Sequence, residues 1–190
     1  MSTTMRWTSA DLAVMPEDGK RYEIIDGDLH MSKQPHLNHQ HLCGRIFSKL
    51  DAWSETTGLG EVFFAPGIIF AEDDDVAPDL VWVSGGRMRA VVQADGKFHA
   101  APELVIEVLS PGTTNERRDR EAKLKLYSRR GVVEYWIVSW QARQIEVYRR
   151  DSAHLELVTT LLEQDTLGSP LLPGFSCAVS TLFERMPVTE

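Results

Sequence analysis

The run LVIEVL at residues 104–109 constrains the fold of this chain most, because one acid, Glu107, sits inside an otherwise apolar segment that closes on Pro111 and Gly112. A segment this apolar on both alternating faces reads as a central strand, covered on both sides. Its side chains alternate, so Glu103, Val105, Glu107 and Leu109 share one face while Leu104, Ile106 and Val108 fill the other. An ionised carboxylate is costly to bury unless something positive meets it, and Glu107 therefore needs a partner.

A second acid has a similar setting. Asp79 follows Val76-Ala77-Pro78 and opens the apolar run DLVWV at residues 79–83. If the two strands are neighbours, Asp79 and Glu107 converge on one divalent cation, and hard oxygen ligands suit Mg2+ or Mn2+. Each acid also has an ordinary alternative: Asp79 can cap a turn after Pro78, and Glu107 can pair with an arginine.

The other elements build a scaffold around these strands. Thr8 or Ser9 can cap a short helix through Met15, and residues 21–25 and 29–31 read as a hairpin around Asp26-Gly27-Asp28. From His39, the residues Leu42, Cys43, Ile46, Phe47 and Leu50 recur at three- and four-residue steps, which predicts an amphipathic helix ending near Gly58. Residues 61–65 and 68–71 are β-rich, residues 115–130 are helical with Gly131 just past the end, and strands follow at 132–139, 144–149 and 155–161. A short helix near 180–185 closes the pattern. This order predicts a mixed α/β protein, with a central mixed sheet flanked by helices and an N-terminal β-hairpin.

Helical stepping sorts the basic residues of 115–130. Arg118, Glu121, Lys125 and Arg129 form a polar stripe that should face water, while Asp119, Ala122, Lys123 and Leu126 fall on the opposite side with Tyr127 one turn beyond. Lys123 thus points at the sheet and Lys125 does not. The commoner fate of such a lysine is to snorkel past Leu126 or to bridge to Asp119.

His36, His39 and His41 do not share a face, which argues against a zinc site, although His39 lies with Cys43 and Ile46 and can reach a neighbouring active site. The acidic run at residues 72–75 reads as a solvated loop, and Cys43 and Cys177 as buried thiols of a reducing compartment. No phosphate-binding loop, dinucleotide fingerprint, HExxH or GxSxG is present, so those chemistries lose support.

At 190 residues the chain reads as one domain, residues 1–190 with a core at about 11–183, and no stretch has the roughly 18 apolar residues of a membrane span. It is expected in the cytoplasm. The net charge of -8 opposes non-specific binding to a polyanion, so any nucleic-acid site is local, and the arginines and lysines of 117–130 could supply it. Trp136 and Trp140 could form a self-association surface or belong to the core.

Together, RYEIIDGDLHM, VAPDLVWVS, ELVIEVLSPGTTNERRDREAKLKLY and GVVEYWIVS resemble the Uma-two family of restriction-endonuclease-like proteins, within the PD-(D/E)XK nuclease superfamily. The resemblance implies a restriction-endonuclease-like fold and metal-dependent cleavage of nucleic-acid phosphodiesters; Mg2+ or Mn2+ is the expected cofactor and DNA the expected substrate, and a homodimer would suit cleavage of two strands. The resemblance also implies that Asp79 is the metal-binding aspartate, Glu107 the acid of the (D/E)XK element and Glu23 an extra acid; the expected metal site is Asp79, Glu107 and the Val108 carbonyl. The superfamily pattern puts a lysine two residues after the acid, where this chain has Leu109. The resemblance gives that role to Lys123, the residue selected by helical stepping. The rival expectations are a non-catalytic DNA-binding or regulatory module and a self-associating structural protein.

Overall fold

A computed structural model describes residues 6–187. The chain opens with helix α1 (Ser9–Leu12) and the hairpin β1 (Arg21–Ile25) and β2 (Asp28–Ser32). Asp26 and Gly27 both take positive φ between the paired Ile25 and Asp28, the geometry of a two-residue hairpin turn. Helix α2 (Leu37–Thr57) follows and stops where Gly58 turns left-handed, with its N–H on the Ser54 carbonyl.

Strands β3 (Gly60–Phe64), β4 (Ile68–Ala71), β5 (Asp74–Val76) and β6 (Leu80–Ser84) come next, then the short helix α3 (Met88–Val91) and β7 (Leu104–Val108). After β7 the chain runs through α4 (Thr113–Arg117), a π-helical stretch (Arg118–Lys123) and α5 (Leu124–Arg130) into β8 (Glu134–Ser139). Strands β9 (Gln144–Asp151), β10 (His154–Leu161), β11 (Thr166–Ser169) and β12 (Leu172–Ala178) and helix α6 (Val179–Phe183) complete it.

The main sheet has the order β10-β9-β8-β7-β6-β3, and its one parallel pair is β7 with β8. A parallel pair needs a crossover, which α4 to α5 provides. A smaller sheet, β2-β1-β5-β4, and the pair β11-β12 stand beside it. The expected mixed sheet with flanking helices is therefore what forms.

Alternation along β7 divides the core as its sequence predicts. Leu104, Ile106 and Val108 pack with α2, β12 and α6, whereas Val105 and Leu109 pack with α5 and the smaller sheet. At the far edge of the main sheet, Gly60 lets β3 approach β6 closely: a Cβ there would lie 2.3 Å from the Val83 carbonyl oxygen.

Three expectations are corrected. The helix of 115–130 begins at Thr113 and contains a π stretch, so Arg118 is not a water-facing residue: its side chain is only 10% exposed and hydrogen-bonds Ser32 and Asp119. The i→i+5 turn is wider than an α turn, and 3.6-residue stepping fails across it. The acidic run is only partly a loop, since Asp74 and Asp75 are buried in β5 and Asp74 lies between Arg129 and Arg130. Trp136 is wholly buried in the core and cannot form an interface, while Trp140 packs against the core and stacks on His36.

Candidate active site

Five elements deliver side chains to one cleft of about 330 Å3 at the ends of β6 and β7. Leu80 of β6 pairs with Ile106 of β7 in antiparallel register. Asp79, one residue before Leu80, therefore falls opposite Glu107, one residue after Ile106. The two strands that each carry an acid are hydrogen-bonded neighbours, as the convergence of the acids requires.

Asp79 is anchored from two sides. Its Oδ2 accepts the Val108 N–H at 2.9 Å and lies 3.0 Å from His39 Nε2, while its Oδ1 faces Arg21 at 3.4 Å. Burial pushes its carboxyl upward, but the His39 hydrogen bond, with Lys123 and the Val108 N–H, outweighs burial and holds it at about 2. Asp79 is thus an ionised acceptor, which assigns the proton on His39 to Nε2 and leaves Nδ1 to accept from the Cys43 thiol, 3.6 Å away. Ligand atoms of His39, Cys43 and Asp79 lie within 4.8 Å of one another. The imidazole nevertheless stands between sulfur and carboxylate, so the three form a hydrogen-bonded chain that orients Asp79. Burial, followed by Asp79 and Glu107, pushes the Cys43 thiol far up and keeps it protonated.

Lys123 is the centre of the other half. Its side chain is 1% exposed, and its ammonium lies 2.8 Å from Glu107 Oε1, 3.0 Å from Glu23 Oε1 and 3.8 Å from Asp119 Oδ1. Burial works against its charge, but Glu107, Glu23 and Asp119 together raise its pKa. Tyr127, one helical turn on, donates to the same Oε1 of Glu107 at 3.0 Å. Glu23 also accepts the Ala77 N–H, tying β1 to the segment that leads into Asp79.

The charges do not balance. Glu23, Asp79, Glu107 and Asp119 surround Lys123 and Arg118, with the more exposed Arg21 at the rim. Burial pushes Glu107 up to about 8; Lys123 works against it, while Asp79, Asp119 and Glu23 add to it. Burial likewise raises Asp119 against the pull of Lys123 and Arg118, whereas the same two cations bring Glu23 below its usual value in spite of burial. Four buried carboxylates set against Lys123 and the nearly buried Arg118 make an interior in which a further positive charge would be favoured.

All five residues singled out by the sequence (Glu23, His39, Asp79, Glu107 and Lys123) line this cleft. Lys125 is exposed, on the face opposite Lys123. Arg21, Arg118 and Cys43 are additions. Arg21 had a signal, since it shares a strand face with Glu23 at a two-residue step; Arg118 had none, because a π turn leaves no mark in the spacing.

A mixed sheet whose neighbouring strands present two acids to a lysine from the crossover helix defines the class, a nuclease-like α/β scaffold. A family model named Uma2, described as "Putative restriction endonuclease", matches residues 9–180, and the chain belongs to this family. Among solved structures it is similar to a "putative nuclease belonging to DUF820 from Anabaena variabilis ATCC 29413", with a TM-score of 0.72, 17% identity, and coverage of 93% of this chain and 97% of the other. It also matches the type IIG restriction endonuclease BpuSI at a TM-score of 0.40 and 18% identity, over 82% of this chain and 17% of that one. None of the curated proteins matches. The fold is restriction-endonuclease-like.

Proposed function

We propose that the chain is a divalent-metal-dependent endonuclease that hydrolyses phosphodiester bonds of DNA, with Asp79, Glu107 and Lys123 as its catalytic residues and Glu23 and His39 in support. The observation that carries this reading is the buried Lys123 ammonium, 2.8 Å from Glu107 in the cleft that Asp79 also lines.

The donor set fits a hard dication. Both hydrogen bonds to Glu107 fall on Oε1, which leaves Oε2 to offer, and Asp79 Oδ1 is held only by the long contact to Arg21. Two carboxylates, with the Val108 carbonyl as a third oxygen, match the preferences of Mg2+ or Mn2+, and the surplus negative charge around Glu107 favours either ion. A bound dication would supply Lewis-acid charge for the scissile phosphate.

The chain's own groups do the rest. Lys123 orients the attacking water and offsets the charge that develops on the phosphoryl oxygens; losing one such group costs on the order of a hundred- to a thousandfold in rate. Glu23 holds Lys123 in place, and His39 fixes the carboxylate plane of Asp79. Among the described residues no helix is long and apolar enough to cross a membrane. The same reading takes the chain as one domain working in the cytoplasm, with a homodimer as the form suited to cutting two strands.

The test is cleavage of supercoiled and single-stranded DNA in Mg2+ or Mn2+ by the wild type, Asp79→Ala, Lys123→Ala and Lys125→Ala. Loss in the first two variants with activity kept in the third is expected. Equal cleavage by all four refutes the site, and DNA binding without metal or cleavage points instead to a non-catalytic module.

A further inference from the structure

The cleft does not end at the acids. Ser32, Lys33, Gln34 and Ser110 form a wall shared with a second hollow of about 440 Å3, which is completed by Met31, His36, Pro111 and Asn115. That volume is within the range of small-ligand sites.

One ring in this hollow is held unusually firmly for an exposed side chain. His36 caps α2, its Nδ1 accepting the Asn38 N–H at 3.1 Å, and it stacks on Trp140 with centroids 4.9 Å apart and planes 9° from parallel. The cap fixes the ring's direction and Trp140 covers one face. The exposure left to His36 belongs to its other face and edge, in the hollow that it lines.

Trp140 strengthens the case. Its Nε1 is buried with no hydrogen-bond partner among the described residues, a desolvation cost that a leucine would avoid. What the indole provides there is a flat backing for His36. A rigid ring, backed on one side and open on the other, beside a phosphodiester site, is a stacking platform for a planar ligand.

We infer that the open face of His36 stacks an unpaired nucleobase of the substrate strand, next to the phosphate placed at Asp79, Glu107 and Lys123. The inference rests on the nuclease reading and sharpens it. Bases inside a duplex already stack on their neighbours and present no free face, so the preferred substrate is DNA that is single-stranded, or has a base extruded, at the cleavage site. Lys33 and Met31 on the rim would meet the backbone and the sugar of that nucleotide.

Two substitutions separate stacking from helix capping. His36→Asn keeps a good capping acceptor and removes the ring, whereas His36→Phe keeps the ring and removes the cap. Binding of a single-stranded thymidine oligonucleotide and of a duplex is measured in Ca2+, with single abasic sites scanned along the oligonucleotide. Wild type and His36→Phe should bind the single strand alike, and each should lose affinity when one particular base is missing. His36→Asn should bind on the order of tenfold more weakly and ignore the abasic site, because stacking on an aromatic ring contributes about 1–3 kcal/mol per base.

Equal single-strand binding by wild type and His36→Asn, weakening by His36→Phe alone, or no single-strand binding by the wild type overturns the platform. Cleavage of supercoiled DNA is assayed in parallel. If that activity is present and sensitive to Lys123→Ala while the oligonucleotide arms fail, the platform alone is wrong; if no variant cleaves, the nuclease reading has failed.

Discussion

Replacing Lys123 by methionine tests the charge arrangement of the cleft most directly. Methionine nearly matches the lysine stem, so the change removes an ammonium rather than opening a cavity. What remains are three carboxylates, Glu107, Glu23 and Asp119, formerly 2.8, 3.0 and 3.8 Å from that ammonium and all buried. Removing one partner of a buried ion pair costs about 3–5 kcal/mol, a large share of the 5–15 kcal/mol that typically holds a domain folded. The pH dependence fixes the cause. Without Lys123 all three carboxyls shift upward, and those that stand above their unfolded values bind protons in the folded state that the unfolded chain releases. An acid raised in this way loses stability as pH climbs from its unfolded to its folded value, so the penalty is greatest near pH 8 and shrinks towards about pH 5. Urea unfolding followed by tryptophan fluorescence in EDTA, at both pH values, measures it. Adding Glu107→Gln should recover part of the loss at the higher pH. A penalty below about 1 kcal/mol, or one equal at the two pH values, would refute the claim that Lys123 holds these acids together.

Other outcomes follow from the same geometry. In metal-free wild type, Glu107 at about 8 against an ordinary 4.5 keeps a proton that the unfolded chain loses, so stability should fall as pH rises from about 5 to about 8, and Glu107→Gln should flatten that slope in urea titrations. Asp74 accepts from Arg129, Arg130 and the Asp26 N–H while 1% exposed; Asp74→Ala should cost about 2–3 kcal/mol by chemical denaturation, whereas Asp73→Ala, which loses only an exposed pair with Arg6, should be nearly neutral. Gly60→Ala would drive a Cβ to 2.3 Å from the Val83 carbonyl and 2.6 Å from the Trp82 ring, and should lower stability by about 1–3 kcal/mol in a thermal melt followed by circular dichroism.

The sequence reveals those parts of this molecule that depend on near neighbours. LVIEVL is legible as a central strand because apolar composition and two-residue alternation are local properties, and the side on which Glu107 emerges follows from them. Lys123 is separable from Lys125 because two residues along a helix change its face by more than a right angle, enough to survive the π turn. Arg118 is misplaced for the same reason in reverse, since it stands where the wide turn begins and the 3.6-residue step no longer applies. The strands β11 and β12, broken by Gly168, Pro170, Pro173 and Gly174, carry weak local signals and form through each other.

What no local pattern contains is distance between elements, and the charge of the cleft is a matter of distance. Asp74 reads as solvated until Arg129 and Arg130, more than fifty residues on, are known to close over it. Cys43 reads as an inert thiol until His39 and Asp79 extend it into a chain ending at a proposed metal ligand. Asp119 reads as the alternative partner that would remove Lys123 from the chemistry. In the fold it lies 3.8 Å away and is one of three acids around that lysine. The competing fates of Lys123, bridging to Asp119 or serving the sheet, were therefore never exclusive. The lysine is held by the acid on its own helix at the point where the sheet presents Glu107, and that shared hold gathers the buried carboxylates where the proposed dication would sit.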